Sequence, residues 1–149
     1  MMDLANNLIA VQSLAPAVRT ADANGTGVDL QGFEGAMAIF DIGAEGDTLS
    51  STVKIDVKLE HSDDNSSFSA VTSSSDVTDG SVDSNGIWAT FDANAEAPAV
   101  VGIGYVGGKR YLRVVADFSG THSNGSPVSA MILKGFARHS EDAGASSSS

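Results

Sequence analysis

The chain of 149 residues contains no cysteine. That removes a disulfide framework, a thiolate nucleophile and any cysteine-ligated zinc site. Basic residues are few, 8 against 19 acids, giving a net charge of -11 and a pI near 4.3. A surface this acidic repels phosphate backbones, which argues against nucleic acid as a partner, and the acidity itself reads as solubility. Aromatic residues make up only 6%, a thin supply of the exposed platforms that sugar-binding modules need. No run approaches the roughly 18 apolar residues of a membrane helix. The start, Met-Met-Asp-Leu-Ala-Asn-Asn-Leu-Ile-Ala, lacks the basic and apolar regions of a signal peptide, so the expected site of synthesis and assembly is the cytoplasm. Internal runs of ten or more residues with helical periodicity and caps are also missing.

What is present is alternation. Residues 53–60 read Val-Lys-Ile-Asp-Val-Lys-Leu-Glu. Side chains on a strand point to opposite faces in turn, so Val53, Ile55, Val57 and Leu59 share a dry face and Lys54, Asp56, Lys58 and Glu60 a wet one. That is the pattern of an antiparallel sheet with one face in water. Further strand-like runs fall at Ala17–Thr20, Gly27–Gln31, Ala36–Ile42, Ser67–Val71, Gly86–Asp92, Val100–Val106, Tyr111–Ser119 and Val128–Arg138. Asn24-Gly25, Asn85-Gly86 and Asn124-Gly125 are turn dipeptides. Gly107-Gly108 reads as a tight hairpin closed by Lys109 and Arg110. Many short strands at this spacing predict an all-β chain, an antiparallel β-sandwich of jelly-roll type over residues 17–138. The expected inward set is Phe40, Val53, Ile55, Val57, Leu59, Trp88, Phe91, Leu112, Val114, Phe118, Ile132 and Leu133. Tyr111 and Val115 fall on the outer face of their strand and suggest cover from another subunit. Residues 1–16 read as an N-terminal arm and residues 139–149, rich in Ser, Ala, Gly and acid, as a flexible tail.

Reactive constellations are weak. His61 lies near Asp63, Asp64, Ser62, Ser66 and Ser67, yet no Gly-x-Ser-x-Gly elbow presents a serine, so the segment reads as a strand ending in a polar turn. Asp76, Asp79 and Asp83, with Asn85, crowd a glycine-containing loop in a way that suits calcium, although the spacing misses the Asp-x-[Asp/Asn]-x-[Asp/Asn]-Gly register. His61, His122 and His139 sit on separate segments without metal-ligand spacing. Gly102, Gly104, Gly107 and Gly108 imitate a dinucleotide fingerprint but lie between strands, with no helix to receive a pyrophosphate. Lys109, Arg110 and Arg113 form the densest basic group. It reads either as hairpin charges that discourage edge pairing or as a docking point for an acidic partner. The Asn-x-Ser/Thr triplets at Asn24, Asn65 and Asn124 match turn composition. The residues thus predict a non-enzymatic chain without a cofactor.

Two stretches carry a resemblance. Val53–Val71, VKIDVKLEHSDDNSSFSAV, and the stretch from Val101, VGIGYVGGKRYLRVVADFSGTHSNGSPVSAMILKGFARH, are similar to small structural proteins encoded beside major capsid genes in tailed phages, prophages and gene-transfer agents. The resemblance covers roughly residues 17–138 and rests on strand and turn signatures. It implies a head decoration, cement or spike-base protein, a symmetric homo-oligomer (trimer or pentamer) bound to the major capsid protein on the outside of the virion. No catalytic residue is implied. Leu4, Leu8, Ile9, Val11 and Leu14 of the arm, with Lys109 and Arg110, are the expected capsid or subunit contacts. The alternatives are a carbohydrate-binding or adhesion module and a tail-tube or tail-terminator subunit.

Overall fold

The computed structural model describes residues 3–137. The strands are β1 (Leu8–Arg19), β2 (Ala23–Asn24), β3 (Val28–Asp29), β4 (Phe33–Ile42), β5 (Lys54–Ser62), β6 (Ser69–Ala70), β7 (Val77–Thr78), β8 (Ile87–Phe91), β9 (Ala99–Tyr105), β10 (Tyr111–Ser119) and β11 (Ser126–Ala137). The first sheet runs β1-β11-β4-β9-β7; the second runs β2-β10-β5-β6, with β3 also on β10 and β8 also on β5. All pairings are antiparallel. The two sheets pack as the expected all-β sandwich.

The core between them follows from strand alternation. Ala38, Phe40 and Ile42 from β4, Ile55, Val57 and Leu59 from β5, Leu112 and Val114 from β10 and Ile132 from β11 are fully buried. Phe40 and Phe91 meet with ring centroids 6.0 Å apart. Three residues of the expected inward set sit differently. Val53 is only half-buried, because its N–H and carbonyl are both held by Ser50 in a turn ahead of β5. Leu133 is half-buried on the outer face, since strand period allows only one of Ile132 and Leu133 to point inward. Trp88 is half-buried and packs against the rim of the core.

Two larger expectations are corrected. The segment read as an arm is mostly strand β1, paired with β11 from Leu8↔Gly135 to Arg19↔Ser126. Its inward residues are Ile9, Val11 and Leu14, and a register shift between Gln12 and Leu14 changes their phase. That bulge is why the run shows no clean period. Residues 8–16 therefore belong to the sandwich. Gly107-Gly108 is not a hairpin turn: β9 pairs with β4 and β7, whereas β10 pairs with β5, β2 and β3. The link crosses from one sheet to the other, and Tyr105 and Leu112 both enter the core from its two ends. Asn85-Gly86 and Asn124-Gly125 do turn, with Gly86 and Gly125 at φ +81 and +84, where a side chain would be strained. Asn24 instead lies in β2, and the Gly25 N–H donates to the Val114 carbonyl at 2.8 Å. Val115 is 6% exposed within this single chain, so its burial does not require another subunit. The tail at 139–149 lies outside the described residues.

Candidate functional site

The loop joining β9 to β10 walls a cleft of about 310 Å³ at one end of the sandwich, lined by Leu30, Gln31, Phe33, Tyr105, Val106 and Arg110 among others. Lys109 and Arg110, singled out from the sequence, both stand on this rim, and each meets an acid from a distant segment. Lys109 Nζ lies 2.8 Å from Asp63 Oδ2. Arg110 forks onto Asp29, Nε to Oδ1 at 3.0 Å and Nη2 to Oδ2 at 2.9 Å. The Arg110 guanidinium, helped by the Gln31 N–H, holds the Asp29 carboxyl below the usual carboxylate range. These exposed pairs fix the loop more than they stabilise the fold, because solvent screens them. Arg113 lies elsewhere, on the outer face of β10, paired with Glu60 and stacked 4.0 Å over the Phe68 ring.

Two buried polar groups sit behind the cleft. His61 continues the inward row of β5, and its Nδ1 lies 2.9 Å from the Tyr105 hydroxyl of β9. Burial, followed by the nearby Lys109 charge, pushes the imidazole below its ordinary value, and burial lifts the Tyr105 phenol to about 12. Both groups are neutral near pH 7, so the contact is a hydrogen bond pinning one sheet to the other. The Tyr105 hydroxyl also accepts the Lys109 N–H at 3.2 Å, tying the loop to the same pin. Lys134, from β11, is 1% exposed. Its Nζ donates to the Asp29 carbonyl at 3.2 Å and lies 4.8 Å over the Phe33 ring. Desolvation lowers its pKa from that of a free lysine. The sequence reading missed Lys134, although counting by twos from Val128, Ala130 and Ile132 reaches it.

The remaining candidates are dispersed. Ile9 and Leu14 are 6% and 3% exposed in this chain's own core, Leu8 and Val11 are half-buried, and Leu4 alone is open at 68%. Their role as contacts is therefore reduced to Leu4 and the outer edge of Leu8. The calcium candidates are not assembled. The Asp83 carboxylate accepts the N–H groups of Asn85 and Ile87 in its own turn, and Asp79 is a positive-φ turn residue. Among the described residues, no three His, Asp or Glu side chains converge as metal ligands. Gly102 and Gly104 lie within β9, the strand context expected for them. At the opposite end, the Asp47 carboxylate accepts the N–H groups of Ser123, Asn124 and Gly125, and His122 Nε2 lies 2.9 Å from the Ser119 carbonyl. These contacts lock loops together and present no substrate-facing group. His139 lies outside the described residues.

In comparisons with known proteins, no family model and no curated protein matches the chain.

Proposed function

We propose that this chain is a non-enzymatic structural protein of a phage-type virion, a homo-oligomer that binds the outside of the capsid and stabilises or decorates the head. The observation that carries the reading is a sandwich whose buried His61, Tyr105 and Lys134 serve internal contacts, while one sheet turns an apolar outer face to solvent. A chain built this way acts through buried area rather than through reacting atoms.

The strand order supports the jelly-roll form of the reading. The first sheet places β1, β11, β4 and β9 side by side, and the second places β2 and β3, β10, β5 and β8. Counting β2 and β3 as one and leaving out β6 and β7, the chain changes sheet at every step except β5 to β8, and β1 lies beside β11, as in a double Greek key. By resemblance, the major capsid protein is the partner. The contact assigned to it is the end of the sandwich where exposed Val106 stands beside Lys109 and Arg110 on the cleft rim and where Leu4 precedes β1. Bridging neighbouring capsomers there shifts the equilibrium towards the intact shell.

Co-sedimentation with purified empty heads tests this. Saturable pelleting that is lost in a Leu4→Asp, Val106→Asp variant is expected. Failure to pellet with heads overturns the head assignment. In that event, glycan-array binding would favour the adhesion module, and labelling of tails in negative-stain images would favour a tail subunit.

A further inference from the structure

We propose that the outer face of the β1-β11-β4-β9 sheet is the surface on which a second copy of this chain packs, sheet against sheet. The register assembles that face in rows across the strands. One row runs Ala10, Leu133, Met37, Gly104, and the next runs Gln12, Met131, Ile39, Gly102. A third, at the cleft end, joins Leu8, Gly135 and Gly35. None of these residues is charged. Asp41, between Ser129 and Val100, marks the border.

Neighbouring side chains also fill the spaces above its glycines. A methyl group built on Gly102 would strike the Met37 terminal carbon at 2.4 Å, one on Gly35 would meet the Phe136 ring at 3.0 Å, and one on Gly135 would meet Leu8 at 2.8 Å. Apolar side chains therefore lie across these three glycines, while Thr78 of β7 covers Gly104 at the edge of the face. Val100, Met131 and Phe136 remain 67%, 40% and 80% exposed. Away from the cleft at Gly35, a surface filled in this way offers little room for an anchoring side chain. It suits another sheet at the roughly 10 Å spacing of sandwich layers.

Charge selects the occupant. Each copy carries -11, so two copies approaching through most of their surface set carboxylate against carboxylate. The charge-free rows are where self-approach meets least repulsion, and a two-fold contact needs no second surface to match. Four strands by about six residues give roughly 400 Å² in projection on each copy, before side-chain relief is counted. Two such faces lie near the ~1,000 Å² at which specific interfaces begin, which points to a reversible dimer in the micromolar range.

This rests on the homo-oligomer reading above and gives it a two-fold contact in place of the trimer or pentamer that the resemblance implies. It is tested without any shell, so its failure is distinct from failure to bind heads. Sedimentation velocity over a concentration series compares the wild type with Met131→Glu, Val100→Glu and, on the other sheet, Lys58→Ala, with circular dichroism confirming each fold. The wild type and Lys58→Ala are expected to pass from monomer to dimer. The two glutamate variants are expected to dimerise about 100-fold more weakly, because each places a carboxylate in the contact. A wild type that stays monomeric, glutamate variants that associate like the wild type, or loss of association in Lys58→Ala would each overturn the proposal.

Discussion

The two sheets present opposite outer faces. On β5 and β10 the outward charged side chains are matched, around Tyr111 and the buried Val115. Lys58 meets Asp117 at 3.0 Å, Arg113 meets Glu60 at 2.5 Å and Lys54 lies 3.7 Å from Asp56, whose Oδ1 also accepts the Thr90 hydroxyl at 2.7 Å. The Asp117 hydrogen bond raises the Lys58 pKa and holds the lysine in its charged form. On β11 and β4 the outward residues are Leu133, Met131, Met37 and Ile39. Both faces hang from the same core, so folding alone explains neither. A face saturated with its own ion pairs needs only water, whereas an apolar one of this extent gains by being covered. The difference divides the molecule into a closed side and an adhesive side.

The comparison can be broken or sharpened by substitution. Phe40→Ala, in the core shared by both faces, should cost about 3–5 kcal/mol in urea denaturation and unsettle both sheets together. Tyr105→Phe removes the pin between the sheets, leaving His61 Nδ1 without its partner and the Lys109 N–H without its acceptor. A loss of about 1–3 kcal/mol is expected, with the cleft loop exchanging its amide hydrogens faster. The same pin makes the fold sensitive to acid. The His61 pKa is lowered on folding, so between that value and the ordinary 6.5 the unfolded chain binds more protons. Stability therefore falls as pH drops below 6.5, and the urea midpoint should be lower at pH 5 than at pH 7.5. On the closed face, Arg113→Ala should cost about 1 kcal/mol, through loss of the Glu60 pair and of cover on Phe68. On the adhesive face, Met131→Glu should change the stability of the dilute monomer by less than about 0.5 kcal/mol, because the position lies outside the core. A large loss there would mean that the face is structural rather than adhesive.

The closed face was legible in the sequence because Val53–Glu60 alternates without interruption, and β5 follows it almost residue for residue. The adhesive face was less so. Ala36–Ile42 is nearly continuous in apolar residues, a pattern of strands dry on both sides. The signal was present, but it gave only a strand and an inward Phe40. Strand β1 was obscured by its bulge, which breaks the period-two pattern at Gln12. The β9–β10 link was misread because two strands joined by Gly-Gly resemble a hairpin locally, whereas their separation into two sheets is decided by long-range pairing with β4 and β5. Lys109 and Arg110 were found as a basic group, but their partners Asp63 and Asp29 lie far off in sequence and only the fold brings them close.

The most direct test of the two-sided account uses the methionines of the adhesive face as reporters. Met131 is open in the monomer and should oxidise readily with dilute peroxide. Peptide mass spectrometry of protein oxidised across a concentration series should show Met131 and Met37 becoming protected as the protein concentration rises, while carboxylate labelling at Glu60 and Asp117 on the other sheet stays constant. Equal oxidation of Met131 at every concentration, or protection confined to the charged face, would contradict the account.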